Sequence, residues 1–265
     1  MDMERAVTEL HVRREGSVDW LTLSSGDGLN TLDVGNAIGL RDYFRQLADD
    51  EECRCVVLSG DGQNFSAGLN LKAAQHLPEA PSAEVHALMN RFGEVTLAMR
   101  MCPQPIVALV RGHAIGGGFA YACAADLRIA AEDASFSTGF IKLGLSGSEL
   151  GMGFLLPRLI GSARAAELML TGRPLRASEA IAWGLVSRVV PADDLVAAAQ
   201  ELVEEMLRSS WLGLRLTKES INLGMMSGGL EAMLSAENRA QTLTMPHARE
   251  GMNAFMERRT PKFDR

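Results

Sequence analysis

Short apolar runs alternate with longer stretches of helical spacing along the first half of the chain. Alternating apolar residues predict two strands, over Ala6–Val12 and Ser17–Leu23. Cys55–Leu58, Ile106–Val110 and Leu127–Ala130 are continuous apolar runs, as expected for buried parallel strands. Strands that alternate with helical patterns are typical of an α/β fold.

The helices of this pattern are marked by an N-cap and by apolar periodicity. Asp33 is a good N-cap for a helix of about four turns, and apolar residues recur at helical spacing over 84–100. From residue 195 onwards the spacing is helical throughout. The sequence therefore predicts a core over residues 1–194 and a C-terminal helical region over residues 195–265.

Composition and charge narrow the functional classes. The 265 residues are 47% apolar and 22% charged, with a formal net charge of −7. This balance is typical of a globular protein, and the acidic charge argues against nucleic acid as a partner. No uninterrupted apolar run of spanning length occurs, and the polar start does not resemble a secretory signal. Four cysteines form no disulfide framework, and no histidines share a metal-ligand spacing. We expect a cytoplasmic protein with no membrane partner and no metal.

Two glycine-bearing segments each follow a predicted buried strand. Asn64–Lys72 comes after the strand that ends near Leu58, and Arg111–Phe119 comes after Ile106–Val110. A helix that starts directly after such a turn leaves unpaired N–H groups aimed outward. Two such groups side by side could bind one oxyanion. The glycines of the second segment alone would also fit a close helix–strand approach, and neither segment has the spacing of a phosphate loop.

These segments resemble the crotonase, or enoyl-CoA hydratase/isomerase, superfamily. The likeness extends in order over nearly the whole chain. The matching segments are Phe65–Lys72, Gly112–Gly118, Cys123–Ala130, Leu155–Gly161, Leu168–Arg173, Ala180–Val189 and Phe255–Phe263.

The resemblance implies a crotonase-type spiral of ββα units whose C-terminal helices assemble homotrimers or dimers of trimers. It also implies an acyl-CoA thioester substrate, with coenzyme A as part of the substrate and no separate cofactor. By position, the thioester oxygen would be held by the Leu69 and Gly117 amides. The expected substrate-binding residues are Ala67, Gly68, Lys72, Gly116, Phe140, Lys262 and Phe263, the last two from a neighbouring subunit.

The chain departs from the hydratases of this family at both catalytic glutamates. The matching positions hold Ala120 and Phe140, which cannot transfer a proton, so two-glutamate hydration is unsupported. Glu149 falls where dienoyl-CoA isomerases and 4-chlorobenzoyl-CoA dehalogenase place a catalytic aspartate. The dehalogenase histidine position holds Gly93, which argues against hydrolytic dehalogenation.

Two interpretations of Glu149 remain open from sequence. It could be the catalytic carboxylate, in a pocket of Phe140, Met152 and Phe154 that raises its pKa. It could instead be a solvated residue in the first turn of a helix that Ser148 caps.

The expected function is enoyl-CoA hydratase/isomerase-type chemistry, with double-bond isomerisation through one carboxylate favoured over hydration. The alternatives are a catalytically weak acyl-CoA-binding homologue, or a hydrolase or lyase of the same family that uses Glu149.

Overall fold

The structure is a computed structural model that describes residues 8–226 and residues 234, 238, 250, 253, 254, 257–259 and 262. Most of the helices predicted after residue 226 lie outside the described residues, as does Phe263. The first strand was predicted from residue 6, and its first two residues also lie outside them.

The strands and helices alternate as the apolar pattern predicts. The strands are β1 (Glu9–Glu15), β2 (Val18–Ser24), β3 (Cys55–Gly60), β4 (Ile106–Val110), β5 (His113–Ile115), β6 (Leu127–Ala131), β7 (Ser135–Ser137), β8 (Leu175–Arg176) and β9 (Arg188–Val190). The helices are α1 (Val34–Gln46), α2 (Ser82–Met101), α3 (Gly117–Ala124), α4 (Met152–Ile160), α5 (Ser162–Thr171), α6 (Ala177–Ala182), α7 (Leu195–Leu207) and α8 (Trp211–Met226). Asp33 caps α1 as predicted, with its side chain accepting a hydrogen bond from the Asn36 amide.

Six strands form a large sheet in the order β1-β2-β3-β4-β6-β9. β1 and β2 form an antiparallel hairpin, and every later pair in this order is parallel. A parallel sheet is stable only where both of its faces are covered. Alternate residues of β4 accordingly belong to two cores. Ile106, Ala108 and Val110 belong to the larger core, and Val107 and Leu109 to the smaller one.

Helices cover the two faces of the large sheet. Phe44 of α1, Phe92 of α2 and Phe119 of α3 pack in the larger core. On the opposite face, Leu195 and Val203 of α7 pack in the smaller core. α7, which begins at Leu195, therefore covers this second face of the sheet.

A small sheet gives the chain its repeating unit. It contains β5, β7 and β8, and a single bridge between Ser66 and Ala114 extends it towards the segment after β3. β4 and β6 are therefore each followed by a strand of the small sheet and then by helix. After β3, the bridge at Ser66 takes the place of that second strand. This is the ββα repeat that the family resemblance implies, although the sequence patterns indicated none of β5, β7, β8 and β9.

A buried cation joins α8 to the larger core. The Lys218 side chain is 4% exposed, and its ammonium group lies 2.9 Å from Oδ2 of Asp126. It also donates to the backbone oxygens of Met99 and Gln104, at 3.0 and 2.8 Å. Asp126 in turn pairs with Arg100 and accepts a hydrogen bond from the first amide of β4. One aspartate therefore links the sheet, α2 and α8.

We predict that Lys218→Met destabilises the protein by about 3 kcal/mol, because it leaves buried carbonyl groups and part of a buried ion pair without their partner. Urea unfolding should show the lower midpoint. Ile221→Ala, at an exposed position of the same helix, should shift the free energy of unfolding by no more than about 0.5 kcal/mol. Equal midpoints for the Lys218 variant and the wild type would contradict the anchoring role.

Candidate active site

The segments after β3 and β4 run side by side. These two strands are parallel neighbours, so their carboxyl ends meet at the same edge of the sheet. The Phe65 amide donates to Arg111 O, and the Ser66 amide donates to His113 O, both at 2.9 Å. Ile115 returns a hydrogen bond of the same length to Ser66 O. The two glycine-bearing segments are thus held together by backbone hydrogen bonds.

The N–H of Leu69 points away from the neighbouring segment of chain, which contains Leu32. Leu32 and Leu69 form a parallel bridge, in which the Leu32 amide donates to Gly68 O and the Asn70 amide donates to Leu32 O. Successive N–H groups of an extended chain point to opposite sides, so the N–H of Leu69 faces away from Leu32. No hydrogen bond from this N–H is found within the described residues.

Gly117 begins α3, a helix whose residues are all buried. Its N–H is one of the groups that the start of a helix leaves without an intrahelical acceptor, at the positive end of the helix dipole. A Cβ atom on Gly117 would lie 2.7 Å from Leu32 Cδ1, so a larger residue here would require the Leu32 side chain to move. A Cβ atom on Gly68 would lie 3.5 Å from the Gly117 nitrogen, which shows how closely the two segments approach.

The prediction that a helix starts directly after the first glycine-bearing turn was wrong. Residues 71–76 form turns, a short 3-10 helix follows at Leu77–Glu79, and α2 begins only at Ser82. The Asn70 side chain accepts a hydrogen bond from the Ala73 amide, which closes a local turn instead of starting a helix. The Leu69 amide is therefore oriented by the bridge to Leu32, and the helix dipole contributes only at Gly117.

Four of the predicted substrate-binding residues lie around this pair of amides. Ala67 and Gly68 precede Leu69, and Gly116 precedes Gly117, with the Phe140 ring packed against Gly116. Lys72, three residues after Leu69, is exposed. Lys262 is also exposed, and its amide donates to Glu250.

Two cavities are each lined by a leucine that packs on Gly117. One, of about 250 Å³, is lined by Leu32 and Leu69. The other, of about 320 Å³, is lined by Glu149 and Leu150. Leu32 and Leu150 both pack within 3.3 Å of where a Cβ of Gly117 would lie. Gly117 is therefore in contact with one lining residue of each cavity.

Glu149 is half-buried in the wall of the second cavity. Burial raises the pKa of its carboxyl group above the ordinary value. Within the described residues, no cation or hydrogen-bond donor is found next to this carboxylate to offset that effect. A carboxyl group whose pKa is raised by burial, and which lies in a cavity, is a candidate for a functional residue.

Two expectations for the surroundings of Glu149 were wrong. It does not lie in the first turn of a helix, because α4 begins at Met152 and its N-cap is Gly151 without a side-chain cap from Ser148. The predicted pocket of three apolar side chains does not form either. Met152 is buried in the core, Phe140 packs on Gly116, and the ring of Phe154 lies under the Arg158 guanidinium at 3.6 Å. The cavity wall beside Glu149 is formed instead by α2.

Sequence reasoning missed the contribution of α2 to this cavity. Met89, Asn90, Gly93, Glu94 and Leu97 line it, at the spacing of one helix face. Glu94 differs from Glu149 because it forms ion pairs with Arg41 at 3.0 Å and Arg45 at 3.6 Å. The only signal in the sequence was that Asn90, Gly93 and Glu94 share one side of a helical pattern that is otherwise apolar.

The described residues contain no cluster of histidine, cysteine and acidic side chains that could hold a metal ion. All four cysteines are buried as free thiols. Among the helices of the described chain, none has the length and apolar character needed to cross a membrane.

Comparison with known proteins places this geometry in context. The sequence model of the family described as "Enoyl-CoA hydratase/isomerase" matches residues 13–265. The chain is 39% identical over 250 residues to a probable enoyl-CoA hydratase of Mycobacterium tuberculosis, covering 92% of this chain and 88% of the relative. It is 34% identical over 252 residues to the 1,2-epoxyphenylacetyl-CoA isomerase of Escherichia coli, covering 94% and 95%.

A solved structure confirms the predicted fold. The crystal structure of a probable enoyl-CoA hydratase/isomerase from Mycobacterium abscessus superposes with a TM-score of 0.88 at 32% identity. The match covers 96% of this chain and 98% of the other.

We predict that Glu149→Gln stabilises the fold at neutral and alkaline pH. Since burial raises the pKa of this carboxyl, its ionisation costs more in the folded state than in the unfolded state. The gain should be absent well below pH 4.5, where both states are protonated, and should grow as pH rises through the raised pKa. Urea midpoints between pH 5 and 8 measure this. Glu132→Gln, at an exposed turn, should show no such trend, and a pH-independent gain for Glu149→Gln would contradict the desolvated carboxyl.

Proposed function

The chain belongs to the enoyl-CoA hydratase/isomerase family, and from that premise we propose that it shifts a carbon–carbon double bond in an acyl-CoA thioester through an enolate. The Leu69 and Gly117 amides bind the thioester oxygen, and Glu149 moves the proton. The observation that carries this proposal is the half-buried Glu149, which has no charge partner among the described residues and precedes Leu150, whose side chain packs on Gly117.

The two amides supply the stabilisation that this chemistry requires. Removing a proton next to a thioester carbonyl places negative charge on its oxygen. Donors that are fixed before the reaction stabilise this charge more than the neutral ground state. The bridge to Leu32 orients one donor and the start of α3 supplies the other, so neither relies on a mobile side chain.

A single carboxylate is sufficient for a double-bond shift. Glu149 removes a proton from carbon 2 of a 3-enoyl thioester, and the electron pair passes through the new enolate to the thioester oxygen. The protonated Glu149 then returns the proton to carbon 4, which leaves a 2-enoyl thioester. No water enters the balance. A raised pKa suits a group that must first accept a proton and then return it.

Hydration is disfavoured because apolar residues occupy the positions from which glutamates would activate water. Ala120 is fully buried in α3, and Phe140 is 8% exposed with its ring against Gly116. Apolar groups therefore occupy the places where hydratases of this family carry two glutamates. The same Glu149 could act as a nucleophile in a hydrolase or lyase, and a protein that only binds acyl-CoA would need no proton transfer at all.

We assign the binding of the coenzyme A end of the substrate to basic and aromatic residues. Lys72 lies just after Leu69 and is exposed, so its ammonium can pair with a phosphate. Lys262 and Phe263 would complete this contact from a neighbouring subunit. That contribution, the homotrimer or dimer of trimers it implies, and the boundary at residue 194 remain predictions.

We predict that Glu149→Gln lowers turnover of 3-enoyl-CoA or 3,5-dienoyl-CoA by about 10²–10⁴-fold, because the amide cannot accept a proton. Absorbance of the conjugated thioester follows the reaction. Glu132→Gln is the matched control and should keep the wild-type rate. Wild-type turnover in the Glu149 variant would remove this residue from the mechanism. Tight binding without exchange of the α-proton into D₂O, already in the wild type, would support a binding protein instead.

A change in the backbone tests the oxyanion donor directly. Placing the α-hydroxy acid analogue of leucine at position 69 converts the amide into an ester and removes the N–H while keeping the side chain. We expect kcat to fall roughly 10²–10³-fold, the usual loss for one such donor. The same exchange at Leu71, whose side chain is exposed, is the control and should leave kcat within about threefold. An unchanged rate for the position 69 ester would show that the Leu69 amide binds no developing charge.

A further inference from the structure

Glu149 is the first residue of a strained turn. The Met152 amide donates to Glu149 O at 2.8 Å, which closes a four-residue turn over 149–152. Its central residues are Leu150, with φ of +53°, and Gly151, with φ of +85° and ψ of 2°. Positive φ at both central positions is typical of a type I′ turn. Glycine adopts this conformation readily, whereas leucine does so only when its surroundings impose it.

One side chain of α2 contacts both central residues of this turn. The Thr96 hydroxyl donates to Leu150 O at 2.9 Å. Its methyl group, Cγ2, lies 3.2 Å from where a Cβ on Gly151 would be. Thr96 is 7% exposed and lies between core residues of α2. It does not line the cavity with Glu149, so it cannot act on the substrate itself.

The turn also touches the oxyanion side of the site. The Leu150 side chain packs 3.3 Å from the position that a Cβ of Gly117 would take. Leu150 is thus fixed at its carbonyl by Thr96 and at its side chain by the start of α3. Both contacts constrain the residue directly after Glu149, and therefore the direction in which the carboxyl group leaves the backbone.

Resting on the function proposed above, we propose that Thr96 is a positioning residue for Glu149: its hydroxyl holds Leu150 in the left-handed conformation and so keeps the carboxylate aimed into the cavity beside Gly117. Among the described residues, no other side-chain hydrogen bond is made to the Leu150 carbonyl. Loss of that bond leaves a leucine free to relax to negative φ, which turns the peptide next to Glu149.

The simpler alternative is that Thr96 only satisfies a buried carbonyl and contributes to stability. A merely structural role would lower the unfolding midpoint but would leave the reaction of the folded protein unchanged. The two roles therefore differ in kcat and in its pH dependence, and not in whether the variant is less stable.

The test compares two substitutions of Thr96. Thr96→Val keeps the methyl contact with Gly151 and removes the hydroxyl, whereas Thr96→Ser keeps the hydroxyl. We expect Thr96→Val to lower kcat about 10- to 100-fold, the size of effect that a displacement near 1 Å produces, with KM within threefold. The acid limb of the pH–kcat profile of Thr96→Val should also be shifted from that of the wild type. Thr96→Ser should restore kcat to within about threefold of the wild type. If Thr96→Val does not fold, Thr96→Ala provides the same loss of the hydroxyl without added bulk.

A double-mutant cycle with Glu149→Gln separates this inference from the proposed function. If Thr96 acts through the carboxylate, Thr96→Val should lower the residual rate of the Glu149→Gln protein by less than about twofold. Ser187→Ala removes another hydroxyl bond to a backbone carbonyl, that of Arg128, and should leave kcat unchanged.

Each outcome has one meaning. Full activity of Thr96→Val, or an equal loss in both backgrounds, overturns the positioning role while Glu149→Gln remains impaired. A Glu149→Gln protein as active as the wild type overturns the proposed function, and the positioning role with it.

Discussion

The parallel pairing of β3 with β4 is the constraint on which the site depends. Parallel strands bring their carboxyl ends to one edge, and here the pairing continues beyond the strands through the backbone bonds of Phe65, Ser66 and Ile115. This continuation brings residues 68–69 against residues 116–117. Because these bonds are made between backbone groups, two donors about fifty positions apart in sequence are brought together without a charged side chain.

Glycine and apolar side chains complete that constraint. Gly68 has φ of +80°, and a Cβ there would lie 2.5 Å from Ile115 O, so the close approach of the two segments requires glycine. Leu32 and Leu150 both pack against Gly117. The amide of Gly117 is therefore bordered by apolar groups, and the low dielectric that follows strengthens any interaction with a developing negative charge.

Sequence patterns predicted those parts of the molecule that local physical chemistry determines. Continuous apolar runs mark β3, β4 and β6, Asp33 marks the start of α1, and the glycines mark both segments of the site. Other features depend on contacts between distant residues. Leu69 lies in a bridge because Leu32 is beside it, and no periodicity encodes that pairing. The wall of the Glu149 cavity comes from α2, and which face of a half-buried helix meets a cavity is decided by packing. Leu150 adopts positive φ against its own preference, which a local pattern cannot indicate.

The contrast between Glu94 and Glu149 explains why a lone carboxyl is chemically useful here. Both line one cavity, but Glu94 forms ion pairs with Arg41 and Arg45. Glu149 has no such partner in the described part of the chain, and burial raises its pKa. A group that accepts a proton from one carbon and donates it to another must be stable in both protonation states. The lack of a neighbouring cation around Glu149 therefore matters to the proposed reaction as much as the presence of the two amides, since a nearby arginine would stabilise the carboxylate and oppose the second half of the transfer.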